Sequence, residues 1–80
     1  MGGLTLKRRA VLRLFEWWDF EVPEKHKMLA VQKAPEEEVN QLYELAYGKD
    51  PENEEEREER DWKMLMLLEN MIARLYRTLL

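Results

Sequence analysis

The side chains with the clearest chemical potential in this chain are carboxylates at helical spacing. Glu58 and Asp61 are three residues apart, and Glu37 and Glu38 belong to a separate acidic run. Residues at positions i and i+3 of an α-helix lie on one face, and Mg²⁺ prefers carboxylate oxygens as ligands. On facing helices, these four residues would be able to bind Mg²⁺ beside a phosphorylated substrate. Acidic runs at the start of helices are more commonly solvated, and we expect that here.

The other residues that hydrolases commonly use are scarce. The sequence has no Ser and no Cys, its only threonines are Thr5 and Thr78, and His26 is its one histidine. Triads built on Ser or Cys are therefore excluded. His26 lies between Lys25 and Lys27, which favours a surface position over a role as zinc ligand or general base. We expect a protein that is not an enzyme and that needs no cofactor and no metal.

Charge is unevenly distributed along the chain. Residues 34–61 contain twelve acidic and three basic residues, whereas both flanking segments carry a small positive net charge. Four basic residues near the N-terminus are candidate phosphate contacts: Lys7, Arg8, Arg9 and Arg13. Without Gly-rich spacing or interleaved aromatic residues, such a cluster is more commonly a solvated helix face. Nucleic acid is therefore the less favoured partner, and the basic ends would also attract the acidic middle of a second copy.

Length and composition indicate one small domain. The 80 residues fit a single helical domain, 1–80, and the absence of cysteine favours a reducing compartment. No stretch approaches the roughly 18 apolar residues of a membrane span, and the N-terminus lacks the apolar region of a signal peptide. We expect a cytoplasmic protein that does not bind membranes.

Periodicity predicts an all-α fold, with three short helices in a helix-turn-helix-like arrangement and one long C-terminal helix. The first helix is expected to run from Thr5, as N-cap, to Asp19. The second begins near Pro23 and ends before Pro35, because proline disfavours a helical conformation at the residue before it.

The third predicted helix starts at Pro35 and ends at Gly48, a residue type that commonly terminates helices. The fourth is expected to start with Asp50 as N-cap and Pro51 at its first position, and to continue to Leu80.

The last helix carries an apolar seam with the spacing of a heptad repeat. The predicted oligomer or partner interface consists of Leu65, Leu68, Met71, Ile72, Leu75 and Leu79. Trp62 and Met66 lie outside this seam, so we expect the helix to be buried on more than one side. Either the other three helices surround it, or it pairs with another chain. Leu12 and Trp17 lie at the margin of the first helix's apolar stripe and are a candidate binding hot spot.

Three stretches carry a family resemblance: Ala10 to Phe20, ending in Trp17-Trp18-Asp19-Phe20; Pro23-Glu24 leading to Met28-Leu29-Ala30-Val31; and Arg60-Asp61 followed by Leu67-Leu68 and Ile72. In these the chain resembles the N-terminal region of antitoxins of the Xre/ParS/MbcA type. The resemblance implies a helix-turn-helix that reads DNA with its third helix. Here that helix is acidic from Glu36 to Glu44, and phosphates would repel it, although Asn40 and Gln41 are types that read adenine edges. The family also continues into a toxin-binding domain, and this sequence ends before one.

Our primary prediction is a non-enzymatic, antitoxin-like or viral-modulator-like regulator that docks a protein partner through an apolar helix face. It is expected to form a homodimer through the seam from Leu65 to Leu79. The first alternative is a dimeric helix-turn-helix repressor that binds DNA with its basic first helix. The second rests on the four carboxylates, which are similar to those of all-α nucleotide pyrophosphohydrolases of the MazG type and imply Mg²⁺-dependent hydrolysis.

Overall fold

The computed structural model describes residues 3–79, and in this range the chain forms four α-helices and no strand. The elements are α1 Leu6–Leu14, a 3₁₀ turn Phe15–Trp17, α2 Glu24–Lys33, α3 Glu36–Tyr47 and α4 Glu54–Leu79. Three short helices followed by one long helix is the predicted all-α class.

The first helix is shorter than expected. Its regular part ends at Leu14 rather than at Asp19, and the backbone turns extended at Trp18, with φ −131° and ψ 156°. This reversal brings the Phe20 ring edge-on against Phe15, with centroids 5.1 Å apart. Phe15 is buried, so this edge-to-face contact closes the corner after α1 against the apolar core.

The helix ends marked by proline and glycine lie where the sequence predicts them. Ala34 is extended before Pro35 and terminates α2, as expected for a residue that precedes proline. Gly48 follows α3 at a close approach, because a Cβ atom there would lie 2.5 Å from the carbonyl oxygen of Glu44. Any other residue at position 48 would force this turn to open.

The long helix begins at Glu54, so the predicted start at Asp50–Pro51 is wrong. Asn53 is the capping residue, since its side-chain oxygen accepts a hydrogen bond of 2.8 Å from the backbone N–H of Glu56. The carboxylate of Glu56 in turn accepts a hydrogen bond of 3.1 Å from the backbone N–H of Glu52. The first bond satisfies a backbone donor in the first turn of the helix, and the second ties the preceding turn to it.

We therefore expect Asn53→Ala to lower the free energy of unfolding by about 1 kcal/mol, since α4 loses its side-chain cap. Asp50→Ala, three residues earlier in the same turn, serves as the matched control and is expected to cost less than half as much. Urea unfolding followed by circular dichroism measures both. Equal losses for the two variants would contradict the assignment of Asn53 as the cap.

The helices pack in a cycle around one core. α2 and α3 each pack against both α1 and α4. The thirteen buried apolar residues are Val11, Leu14, Phe15, Ala30, Val31, Ala34, Val39, Leu42, Met64, Leu68, Met71, Ile72 and Leu75. No charged or polar residue is buried among residues 3–79. The core is therefore entirely apolar, and its largest share comes from the C-terminal half of α4.

The predicted interface on α4 is corrected by this packing. Leu68, Met71, Ile72 and Leu75 are buried inside the chain by its own helices, so they are not available to a partner. Leu65 is partly buried, and Leu79 alone of the seam is largely accessible, at 53% exposure. A heptad-like spacing also arises in a helix that lays one face on two neighbouring helices, which is the geometry here.

Candidate functional site

The outer face of α4 exposes large apolar side chains opposite the core. Met64 and Leu68 are buried, whereas Trp62 is 63% exposed and Met66 is 43% exposed. Residues two positions apart on an α-helix point to nearly opposite sides, which explains this alternation. Trp62 and Met66 are four residues apart and share a face, so together they form an apolar surface that residues 3–79 leave accessible. Of the two alternatives for a second buried side of α4, the described helices of the chain itself do not provide it at these positions, and burial by another chain stays a prediction.

Trp62 and Met66 border a groove between α3 and α4. Its concave volume is about 400 Å³, and it is lined by Gln41, Leu45, Trp62, Lys63, Met66 and Leu67. We call these six residues the α3–α4 groove. Leu45 and Leu67 form its floor, because both are partly buried and pack against the core. A groove with an apolar floor and an aromatic side wall is the usual form of a site that accepts an apolar side chain or helix.

A second concavity of about 360 Å³ adjoins the groove at Leu45, which lines both. Its remaining lining residues are Glu44, Lys49, Asp50, Pro51, Glu52, Glu56 and Arg60. The two cations in this set each face a carboxylate: Lys49 lies 3.7 Å from Glu52, and Arg60 lies 2.9 Å from Asp61. This end of the groove is therefore negatively charged.

The solvated first turns of α4 extend the acidic character along the same helix face as Trp62. Glu55, Glu58 and Glu59 precede Trp62 by seven, four and three residues, which places them on its side of the helix. All three are exposed. Glu59 also forms an ion pair of 3.5 Å with Lys63, the one cation that lines the groove.

The predicted phosphate contacts do not form one cluster, because two of them are used inside the chain. Lys7 donates a hydrogen bond of 3.0 Å to the side chain of Asn40 and lies 5.2 Å from the ring centroid of Tyr43. Arg8 donates through Nη1 to the carbonyl oxygens of Val31, at 2.6 Å, and of Ala34, at 2.8 Å.

Arg8 therefore caps the C-terminal end of α2, where carbonyl groups lack partners within the helix. Of the four predicted contacts, Arg9 and Arg13 are exposed on the outside of α1. The two residues of α3 that could read adenine edges also have contacts within the chain. The side chain of Asn40 accepts a hydrogen bond from Lys7, and Gln41 lines the α3–α4 groove.

The carboxylates considered for Mg²⁺ are separated and partly engaged. Glu38 accepts two hydrogen bonds from Arg74, at 2.9 and 3.3 Å, and Asp61 accepts from Arg60. The hydrogen bonds with Glu38 raise the pKa of Arg74; desolvation opposes this increase, and the negative charge of Glu38 adds to it. Within residues 3–79, no three His, Asp or Glu side chains come together as a metal site requires.

His26 is half-buried rather than on the open surface. Its Nδ1 and the hydroxyl of Tyr76 are joined by a hydrogen bond of 2.9 Å, and the two rings meet edge-on. This contact ties α2 to α4 near the C-terminal end of the core and gives His26 a structural role.

The two residues of the predicted hot spot, Leu12 and Trp17, have different environments in the structure. Leu12 is partly buried and packs against the core, whereas Trp17 is 48% exposed beside Trp18. Trp17 lines neither the α3–α4 groove nor the concavity that adjoins it. Sequence reasoning noted that Trp62 and Met66 lie off the seam but did not identify the groove, because its other wall, at Gln41 and Leu45 of α3, is set only by the packing of the helices.

Comparison of the chain with protein-family models, with curated proteins and with solved structures gave no match. The resemblances to antitoxins and to nucleotide pyrophosphohydrolases stay predictions. Among the helices between residues 3 and 79, none has both the length and the apolar composition needed to cross a bilayer.

Proposed function

We propose that this chain is a protein-interaction domain that binds an α-helical segment of another protein in the α3–α4 groove. The observation that carries this proposal is the pairing of Trp62 and Met66, both accessible, beside a concave apolar floor. Trp is among the residue types that contribute most to binding when they become buried at an interface. Burial of apolar surface here would stabilise a complex at about 25 cal/mol per Å² before the entropic costs of association.

A helical partner fits this groove better than an extended one. The walls are two helices, and no strand edge exists among residues 3–79 to which a peptide strand could add. A helix with apolar residues at positions i, i+3, i+4 and i+7 presents a ridge that packs between two helices. The domain would thereby cover the apolar face of its partner, which is how a small regulator inhibits or stabilises a target.

The proposal is tested by selecting peptides from a displayed random library on the folded chain. Selection on the wild type is followed by counter-selection on Trp62→Ala/Met66→Ala. We expect the enriched peptides to share helical apolar spacing and to lose at least about tenfold in affinity for the double variant, as for removal of an interface hot spot. The exposed positions of both residues mean that the variant should keep its helicity, which circular dichroism checks.

Trp17→Ala is the matched control, because it removes an exposed Trp on another surface. Enriched peptides that bind the wild type and the Trp62→Ala/Met66→Ala variant equally would contradict the proposal, as would a failure to enrich any. Light scattering over a concentration series tests a second copy as occupant. A stable wild-type dimer that becomes monomeric in the double variant would show that the groove is filled by the chain itself.

A further inference from the structure

We infer that the helix bound in the α3–α4 groove is basic: an amphipathic segment with lysines or arginines that lie against the carboxylates around Trp62. This inference rests on the proposed function, because it names the chemistry of the partner for the same groove. The relevant carboxylates come from both helices and from the turn between them.

The segment that forms the groove and its surroundings is strongly acidic. Residues 34–61, which form α3, the turn and the start of α4, contain twelve acidic and three basic residues. All three basic residues of this segment, Lys49, Arg57 and Arg60, lie among acidic neighbours, and two of them are already in ion pairs with Glu52 and Asp61. A negative potential therefore surrounds the groove and would raise the rate of association of a cationic ligand.

The carboxylates near the groove form two groups. Glu44, Asp50 and Glu56 line the concavity that continues the groove beyond Leu45. Glu55, Glu58 and Glu59 form a second group, on the outer side of the same end of α4. A ligand whose apolar ridge fills the groove would therefore pass between two acidic groups toward the N-terminal end of α4.

The order of acidic and apolar residues along α4 also indicates how the ligand lies in the groove. The apolar pair Trp62 and Met66 follows the acidic turns in sequence, so one end of the bound segment is apolar and the other is cationic. From Glu55 to Met66 the helix rises about 16 Å, at 1.5 Å per residue, which matches roughly three turns of a helical ligand.

The same charges disfavour the other common occupants of a surface groove. Anionic lipid surfaces and nucleic-acid phosphates would be repelled by both acidic groups. The exposed basic residues Arg9 and Arg13 lie on the outer face of α1, and α1 does not line the groove. A basic protein helix is the macromolecule that satisfies both the apolar floor and the acidic surroundings.

The test uses two synthetic peptides of roughly 18 residues, a length that supports helicity. Both peptides place leucine at positions i, i+3, i+4 and i+7. One peptide carries lysine at all the remaining positions, and the other carries glutamate there. Binding to ¹⁵N-labelled protein is followed at the indole N–H resonances of Trp17, Trp18 and Trp62. We expect the lysine peptide to shift the Trp62 resonance, and to lose at least about tenfold in affinity between 0.05 and 0.3 M salt, as the Debye length shortens.

Charge reversal on the protein supplies the matched comparison. Glu58→Lys/Glu59→Lys is expected to weaken the lysine peptide by at least about fivefold. Glu16→Lys/Glu21→Lys makes the same change in net charge at exposed positions outside the groove, and is expected to leave the affinity within about twofold. Circular dichroism of both variants checks that they fold.

Three results would overturn the inference. If the glutamate peptide shifts Trp62 as strongly as the lysine peptide does, the groove binds helices without regard to charge, and the proposed function stands. If both charge-reversal variants weaken binding equally, attraction is general rather than local to the groove. If neither peptide shifts Trp62, the basic helix is the wrong ligand, and peptide selection with its Trp62→Ala/Met66→Ala counter-selection then decides separately whether the groove binds a helix at all.

Discussion

Replacing Leu68 with Ala is expected to lower the free energy of unfolding by about 2–5 kcal/mol, because it leaves a cavity in a closely packed core. Leu68 has no exposed surface and lies where α4 meets the other helices. A domain of this size has a total stability on the order of 5–10 kcal/mol, so the loss is a large fraction of it. Urea unfolding at several protein concentrations measures the change, and its midpoint should not depend on concentration.

Met66→Ala is the matched control on the same helix. Its side chain is 43% exposed on the outer face, so we expect a change within about 0.5 kcal/mol. Comparison of Leu68→Ala with Met66→Ala also tests whether the seam of α4 is part of the core or, as its heptad spacing predicted, an interface between chains. If Leu68→Ala left the monomer stable but reduced the molar mass in solution, Leu68 would belong to an interface between chains, and the packing described above would be wrong.

Replacing Arg8 with Met is expected to lower the free energy of unfolding by about 1–3 kcal/mol. Methionine keeps the apolar stem of the side chain and removes the donor that serves the carbonyl groups of Val31 and Ala34. These carbonyls lie at the end of α2. Without Arg8, the carbonyl of Val31 would keep only the 3.3 Å bond from the N–H of Ala34, and the carbonyl of Ala34 would depend on water. The loss should appear as a lower urea midpoint with an unchanged slope.

Arg9→Met is the matched control, one residue along the same helix. Arg9 is exposed and its side chain makes no hydrogen bond with residues 3–79, so its replacement is expected to stay within about 0.5 kcal/mol. If the two arginines were equivalent members of a phosphate-binding cluster, both variants would be equally stable and would differ from the wild type only in binding nucleic acid. A loss of stability in Arg8→Met but not in Arg9→Met would show that Arg8 caps α2 and is not simply one member of a phosphate-binding cluster.

Much of the helical layout could be predicted because its signals are local. The Thr5 side chain caps α1 by accepting from the N–H of Arg8, and Pro35 separates α2 from α3, as the residue types imply. The predicted start of α4 was wrong because Asp50 and Asn53 are both good capping residues. Only the hydrogen bond that the side chain of Asn53 accepts from the N–H of Glu56 selects the second of them.

The candidate site was harder to predict, since it depends on which side of α4 is covered. Periodicity correctly grouped Leu68, Ile72 and Leu75 on one face but did not indicate whether other helices of the same chain or a partner would bury it. Likewise, Lys7, Arg8 and Arg9 form one basic run in the sequence, but helical geometry directs Lys7 to α3 and Arg8 to the end of α2 and leaves Arg9 exposed.

By itself, the sequence determined the all-α class, the break between α2 and α3 at Pro35, the end of α3 at Gly48 and the acidic character of residues 34–61, because propensity, capping and charge act over a few residues. The tertiary structure alone decided that the seam of α4 is core, that Arg8 is a helix cap, and that Trp62 and Met66 are left beside a groove. The physical reason is that burial depends on which helices meet. Residues far apart in the chain, such as Leu45 and Trp62, share a surface only after the helices have packed.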